Sequence, residues 1–569
     1  MKRLLIALAT LALAACGGGG GGGGGGTSTT PTPPPVATVP PTEAEAGRIL
    51  GQATFGATDA TIDAVRNAGI DPWIAQQLSA PPQAQTHQAY LDARLAQLRQ
   101  TNPQATLNAN HFYETWWLNA ATSPDQLRQR VAFAYSQIFV ISLNDSSIDV
   151  RGAASYYDML SQNAFANYRT LLENVTLHPM MGRYLTYLAN QREDAAGTRT
   201  PDENYAREVM QLMTIGLVQL NPDGTPRTDA NGQTTATYSP ADISGLAKVF
   251  TGISWYHPNP TNSTFFGGSL DPNATVRPMI FYPQYHSVSQ KQFLGVTIPA
   301  STTADVGGDL RIALDTLFNH PNVGPFMARQ LIQRLVTSNP SPGYVQRVAA
   351  VFNNNGAGVR GDMAAVIRAV LTDADARGAT TLSDPTYGKL REPVIRLSNW
   401  MRAFGATSVG GAWTVNSTSS NQSLGQSPLA SPSVFNFWRP GYVPPATTAL
   451  GGRNLNAPEF QIVDEVSAAG YVNTINGAIT SGIGAGSDVR AAYAAELAIA
   501  DNADQLASRL NRLLLAGQMS ATLRTRVLEA VNSIAIPTTG QTQIDAARLN
   551  RVRTAIVIVM ASQDYLVQR

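Results

Sequence analysis

Helical periodicity dominates the chain from residue 43 onward. Within residues 43–79, Ile49, Leu50 and Ala53 make one apolar stripe, Ile62 and Val65 a second, and Trp73, Ile74 and Leu78 a third. Thr58 or Asp59 suits the N-cap of the second helix and Gly69 its stop. Residues 111–140 form a long aromatic helical stretch, broken only at Ser123-Pro124. There Ser123 is expected to cap and Pro124 to fill the first turn, with Leu127, Val131, Ala134, Tyr135 and Ile138 on one face. Helical spacing continues through 156–160, 168–176, 180–188 and 201–215, then 241–251, a block over 310–372, and 392–404. It returns in the tail over 504–515, 520–534 and 546–569, with Gly517 as a stop and Ser520 as a cap.

Two regions break the pattern. Asn221-Pro222-Asp223-Gly224 and Asp229-Ala230-Asn231-Gly232 are turn signatures around short strands, which predicts a small β-hairpin near 218–238. A calcium loop at Asp229–Gly232 is the sharper reading, but the longer ligand series and the closing Glu are missing. Residues 255–308 look irregular, and residues 405–460 are rich in Gly, Ser and Asn, the natural place for a sub-unit boundary. The expected fold is mainly α: a multi-helix globular body over 43–569 with αα-hairpins and one β excursion.

His178-Pro179 and His320-Pro321 each follow a helical stretch and precede another. Proline suits a first helical turn because its missing N–H would be unpaired there anyway. Both histidines therefore read as caps between paired helices rather than as metal ligands. Trp116, Trp117, Trp255, Trp400 and Trp438 offer stacking surfaces for glycans, although an aromatic helix face more often belongs to a core.

The N-terminus changes the picture. Lys2 and Arg3 precede an apolar run, Leu4–Leu13, too short to cross a bilayer, and Leu13-Ala14-Ala15-Cys16 closes it. This ending resembles a bacterial lipobox, which implies a signal peptide over 1–15, cleavage before Cys16 and acylation of its thiol. Gly17–Gly26 and the proline-rich run to Pro41 then form a tether over 16–42. Gly17 after the cysteine favours the outer membrane of a Gram-negative bacterium, by the sorting habits of such lipoproteins. Cys16 is the only cysteine, so an intrachain disulfide and a zinc–thiolate site are excluded. A net charge of +1 with 14% charged residues leaves no electrostatic footprint for nucleic acid.

Chemistry is sparser than address. The chain has no Gly-x-Ser-x-Gly elbow, His-Glu-x-x-His, Walker loop or Gly-x-Gly-x-x-Gly after a strand, and no metal or cofactor is expected. The best acidic cluster is Glu203-Asn204-Tyr205-Ala206-Arg207-Glu208, where helical spacing sets Glu203 against Arg207 and Asn204 against Glu208. Glu208 borders the apolar stripe and is a candidate acid/base, with Arg207, Glu203 and Asn204 as binding groups; the plainer reading is an Arg–Glu staple between helices. His286 and Lys291, in the irregular region, are the other catalytic candidates; equally, His286 satisfies loop backbone and Lys291 meets solvent.

A set of segments in order carries a resemblance. It comprises Ile49–Gly56, Arg130–Ala134, His178-Pro179, Glu203–Glu208, Tyr238–Ile243, His286 with Lys291, His320-Pro321 and Ser433–Tyr442. Together they resemble the bacterial domain of unknown function 1800 family over nearly everything from about residue 45. The resemblance implies an exported protein, often encoded beside a sulfatase-like exported protein that is a candidate partner, and no established activity. Many relatives carry Glu-Leu-His where this chain has Gln211-Leu212-Met213, and Asp where it has Ser287, which removes support for a metal at Glu208.

The expected function is therefore an envelope-tethered lipoprotein acting with a partner on the envelope or on exported polymers. The alternatives are a hydrolase or transferase built on Glu208, His286 and Lys291, and a glycan-binding module.

Overall fold

Local signals start many of the helices. Thr42 and Thr58 each form a reciprocal capping box, starting Glu43–Ala53 and Asp59–Ala68, and Gly69 at φ +90° ends the second helix. Ser520 caps Ala521–Asn532, as its spacing predicts. The structure is a computed structural model describing residues 39–83 and 85–569. The expected export signal, Cys16 and most of the tether lie outside the described residues.

The fold is mainly α, with four two-stranded antiparallel sheets among the described residues. Residues Pro40–Arg569 pack as one unit around a continuous apolar core. Distant segments meet: Glu43–Ala53 packs on Ala503–Leu515, and Val567–Gln568 pairs with Lys389–Leu390. The strands Lys291–Phe293 and Val296–Ile298 form a tight hairpin laid against the helix Pro240–Ala247. Gly245 makes that approach possible, since a Cβ there would sit 1.7 Å from the Gln292 carbonyl oxygen. The excursion near 218–238 is held by single bridges, Val218 to Ala236, Leu220 to Pro226 and Thr228 to Thr234.

Several boundaries differ from the sequence reading, each for a visible reason. Ser123 does not cap the helix Gln126–Ser136; its hydroxyl bonds Asp125, whose carboxylate also accepts from Gln129 and the Gln83 N–H. His178 behaves as expected, accepting the Met180 N–H at 3.2 Å with Pro179 in the first turn. His320 does so only in part. It closes Val306–Asn319 and accepts the Asn322 N–H at 3.2 Å, but the next helix begins at Val323. Asn322 stands at that N-cap with its side chain used elsewhere. Its amide donates to the carbonyls of Ile215 and Val218 at 2.8 Å each, and its oxygen accepts the Leu220 N–H at 3.0 Å.

Two of the longer helices are not legible in the sequence. His87–Thr101 lacks a clear apolar stripe and is anchored by Asp158, which accepts the backbone N–H groups of His87 and Gln88 at 2.8 Å. Glu465–Ser481 is rich in small residues and packs on the tail helix Gln541–Met560. Gly470 lets it press on the 421–423 backbone, where a Cβ would lie 2.3 Å from the Asn421 oxygen.

Candidate functional site

The residues singled out by sequence fall in three separate places. Glu203 and Arg207 pair at 3.4 Å on the surface, both side chains half-exposed. Glu203 also accepts the Ser244 hydroxyl at 2.5 Å, joining its helix to Pro240–Ala247. Asn204 bonds Thr186 and the Asp202 carboxylate, and no side-chain hydrogen bond links it to Glu208.

Glu208 is buried, and its Oε2 has no hydrogen-bond partner among the described residues. Burial pushes its carboxyl up, an effect the neighbouring Arg207 offsets in part. The α-helix stops at this residue. Val209–Thr214 continues as a π-helix, with the Ile215 and Gly216 N–H groups both reaching the Met210 carbonyl. Thr214 donates its hydroxyl to the Val209 carbonyl at 2.6 Å, and Gly216 then turns the chain at φ +70°. Such widened turns recur at functional sites.

His286 and Lys291 converge, but on Asp309 and away from solvent. His286 is fully buried and its two ring nitrogens are both engaged, Nδ1 with the Thr251 carbonyl at 2.7 Å and Nε2 with Asp309 at 2.9 Å. The Lys291 ammonium reaches Asp309 at 2.8 Å and the Ser287 carbonyl at 2.6 Å. Burial alone would raise the Asp309 carboxyl, but the bonds from His286 and Lys291 outweigh it and hold it below the usual range. This knot joins the helix Val306–Asn319 to the loop at 286–291 and leaves neither imidazole nitrogen free for a substrate. His178 stands apart in the core, against Tyr156 with ring centres 5.0 Å apart, and no hydrogen bond or ion pair connects it to Glu208.

A separate concave feature lies beyond all of these. A cleft of about 400 Å³ is walled by the π-helix and its exit (Gln211, Leu212, Ile215–Val218), by Phe326, Arg329, Gln330 and Arg334 on one helix, by Gln137 and Ile138, and by Val434, Phe435 and Trp438–Gly441. The volume is typical of small-molecule sites, which run to roughly 300–1,000 Å³. Its walls are mostly apolar, and the titratable groups among its lining residues are three arginines: Arg329, Arg334 and Arg439.

Behind the cleft sits a buried charge cluster. Arg334 stacks on Trp438 at 4.6 Å and donates to the carbonyls of Gln330 and Gln137. The Arg334 carbonyl, at the C-terminus of its helix, accepts from Arg130 at 2.7 Å and Lys389 at 3.0 Å, the cations that end of a helix favours. Glu392 accepts from Trp438 at 3.2 Å and from Gln426 and Gln137. Glu459 pairs with Lys389 at 2.9 Å. Burial pulls Arg334 down to about 9 and Arg130 to about 10, so both remain cations at neutral pH. The cluster thus holds three cations against two carboxylates.

Sequence reading offers Trp438 as a stacking surface, quotes Arg439 only within a motif, and passes over Arg329 and Arg334. The available signal was the run Phe326, Arg329, Gln330, Arg334, which helical spacing places on one face of Val323–Leu335. The five tryptophans proposed as stacking surfaces are all buried.

No curated protein and no solved structure matches the chain. The family model described as "Protein of unknown function (DUF1800)" matches residues 48–567. That span holds the cleft, the charge cluster and the His286–Asp309–Lys291 knot, and the chain belongs to this family.

Proposed function

We propose that the chain is an envelope-tethered binding protein, held at the outer membrane through an acylated Cys16 and acting with a partner on exported polymers or their fragments. The observation that carries the binding part is the composition of the cleft: apolar walls, three arginines, and neither a carboxylate nor a histidine among its lining residues. Such a surface holds a ligand but offers no acid/base pair to transform it. The tether rests on the Leu-Ala-Ala-Cys ending and the Gly/Pro run that follows it. A partner fits the surface at 460–472, where Phe460, Val463, Val466 and Val472 are exposed within a short span.

Cell fractionation tests the reading. The native chain is expected in the outer-membrane fraction carrying labelled palmitate, and Cys16→Ser in the soluble fraction without label. Identical distribution of the two would contradict it. A second reading, a hydrolase or transferase, draws support from Glu208 alone, a buried carboxyl with one unpartnered oxygen. It requires that Glu208→Gln abolish turnover of an exported polymer while the protein stays folded.

A further inference from the structure

Three features compete for attention outside the residues already assigned. The His286–Asp309–Lys291 knot is sealed and internally satisfied, and the exposed apolar residues at 460–472 carry nothing that names their occupant. The cleft goes further, because its chemistry specifies a ligand class.

We propose that the cleft binds an amphiphilic anion: a single oxyanion head, carboxylate or phosphate, on an aliphatic or aromatic body. The inference deepens the binding reading above and rests on it.

Three observations support the charge. Arg329 is only partly exposed, lines the cleft, and forms no ion pair and no side-chain hydrogen bond among the described residues. Arg439 at the mouth stacks on Phe435 at 4.4 Å and likewise pairs with no carboxylate among the described residues. Beneath them, Arg334 is 2% exposed, and its Nε has no hydrogen-bond partner among the described residues. A partly buried guanidinium without a counter-ion is costly in the empty protein, and an oxyanion removes that cost with short, charge-assisted bonds. Behind the wall, Glu392 and Glu459 are matched by Arg130 and Lys389, so the cluster leaves the charges of Arg329, Arg334 and Arg439 uncompensated. The lining of the cleft therefore carries an excess of positive charge.

The body of the ligand follows from the apolar lining of the cleft. Leu212, Leu217 and Phe326 present apolar surface to the cleft, with Ile215 buried behind them. Leu217 is 58% exposed, a large apolar side chain left at the rim. A bare inorganic anion would leave this surface wet, and a neutral hydrocarbon would leave the arginines unpaired. A molecule with both parts satisfies both.

Titration calorimetry on the full chain carrying Cys16→Ser, which needs no detergent, tests the assignment with four probes below their micelle concentrations. Dodecanoate and dodecyl phosphate are expected to bind, and the tighter of the two identifies the head. Dodecyltrimethylammonium, with the same tail and the opposite charge, is expected to bind at least tenfold more weakly, as is inorganic phosphate. Arg329→Gln should weaken the anions about tenfold and leave the ammonium probe unchanged, while Leu212→Asp should weaken both alkyl anions. Equal binding of the cationic and anionic amphiphiles would overturn the assignment, as would binding of none of the four. A chain that fractionates with the outer membrane yet ignores all four probes refutes the ligand class and leaves the tethered reading standing.

Discussion

The Lys389 ammonium lies 2.9 Å from the Glu459 carboxylate, with both side chains at 2% exposure or less. Burial and the neighbouring Glu392 push Glu459 up, and Lys389 opposes them. Removing one partner strands a buried charge, which typically costs about 3–5 kcal/mol. Lys389→Met should therefore lower the urea midpoint strongly. Lys389→Met with Glu459→Leu should recover most of the loss, because a buried ion pair often does little better than apolar side chains of similar size. A double variant as unstable as the single one would show that Lys389 acts mainly through its bond to the Arg334 carbonyl.

Glu208 should behave in the opposite sense from a paired carboxylate. Its carboxyl is pushed up by burial, so the folded protein holds its proton to higher pH than the unfolded chain does. The stability this group allows is present at low pH and is lost as pH rises past the ordinary carboxylate range. Glu208→Gln removes the charge and should stabilise the protein at neutral pH. At about pH 3, where the side chain is largely neutral in both states, it should change little. Thermal unfolding at the two pH values reads the difference directly.

His178 gives a slope of the other sign. Burial pushes its imidazole down to about 3, whereas the unfolded chain's histidine titrates near 6.5. Below that value the unfolded state gains a proton that the folded state refuses, so stability falls with pH from about 6.5 toward 3, by roughly 1.4 kcal/mol per unit. His178→Asn keeps an acceptor for the Met180 N–H and should flatten this slope while leaving stability at pH 8 within about 1 kcal/mol of the native chain. Urea midpoints collected from pH 4 to 8 for both proteins check the difference.

Asn322 is the hinge between a helix start and the cleft wall. It holds the Ile215 and Val218 carbonyls and the Leu220 N–H. Asn322→Leu fills similar space but leaves three buried or part-buried backbone groups unpaired, at about 1–3 kcal/mol each. Amide exchange across 215–226 should accelerate well beyond the rest of the molecule. Exchange that rises evenly along the chain would mean that Asn322 supports the whole body rather than this wall.

Sequence made the address and the local punctuation legible, and left the site obscure. The caps at Thr58, Ser520 and His178 and the stop at Gly69 depend on neighbours within four residues, so spacing finds them. The π-turn after Glu208 is different. The apolar pattern across 204–215 suits an ordinary helix, and the widening is visible only where Gly216 and Asn322 meet it. The candidate acids and bases drew notice because charged side chains sat in recognisable motifs. His286 and Lys291 proved to be consumed by Asp309, a residue no local motif connects to them. The cleft itself joins Gln137, Leu212, Arg334 and Trp438 from four distant segments, and only the folded chain brings them together.

Hydrogen–deuterium exchange of the full chain carrying Cys16→Ser, with and without saturating dodecyl phosphate, tests the central claim most directly. Binding in the cleft predicts slower exchange in 209–220, 326–334 and 433–442, with 286–309 unchanged. Protection absent from those three segments, or centred on the His286–Asp309–Lys291 knot, would contradict the account.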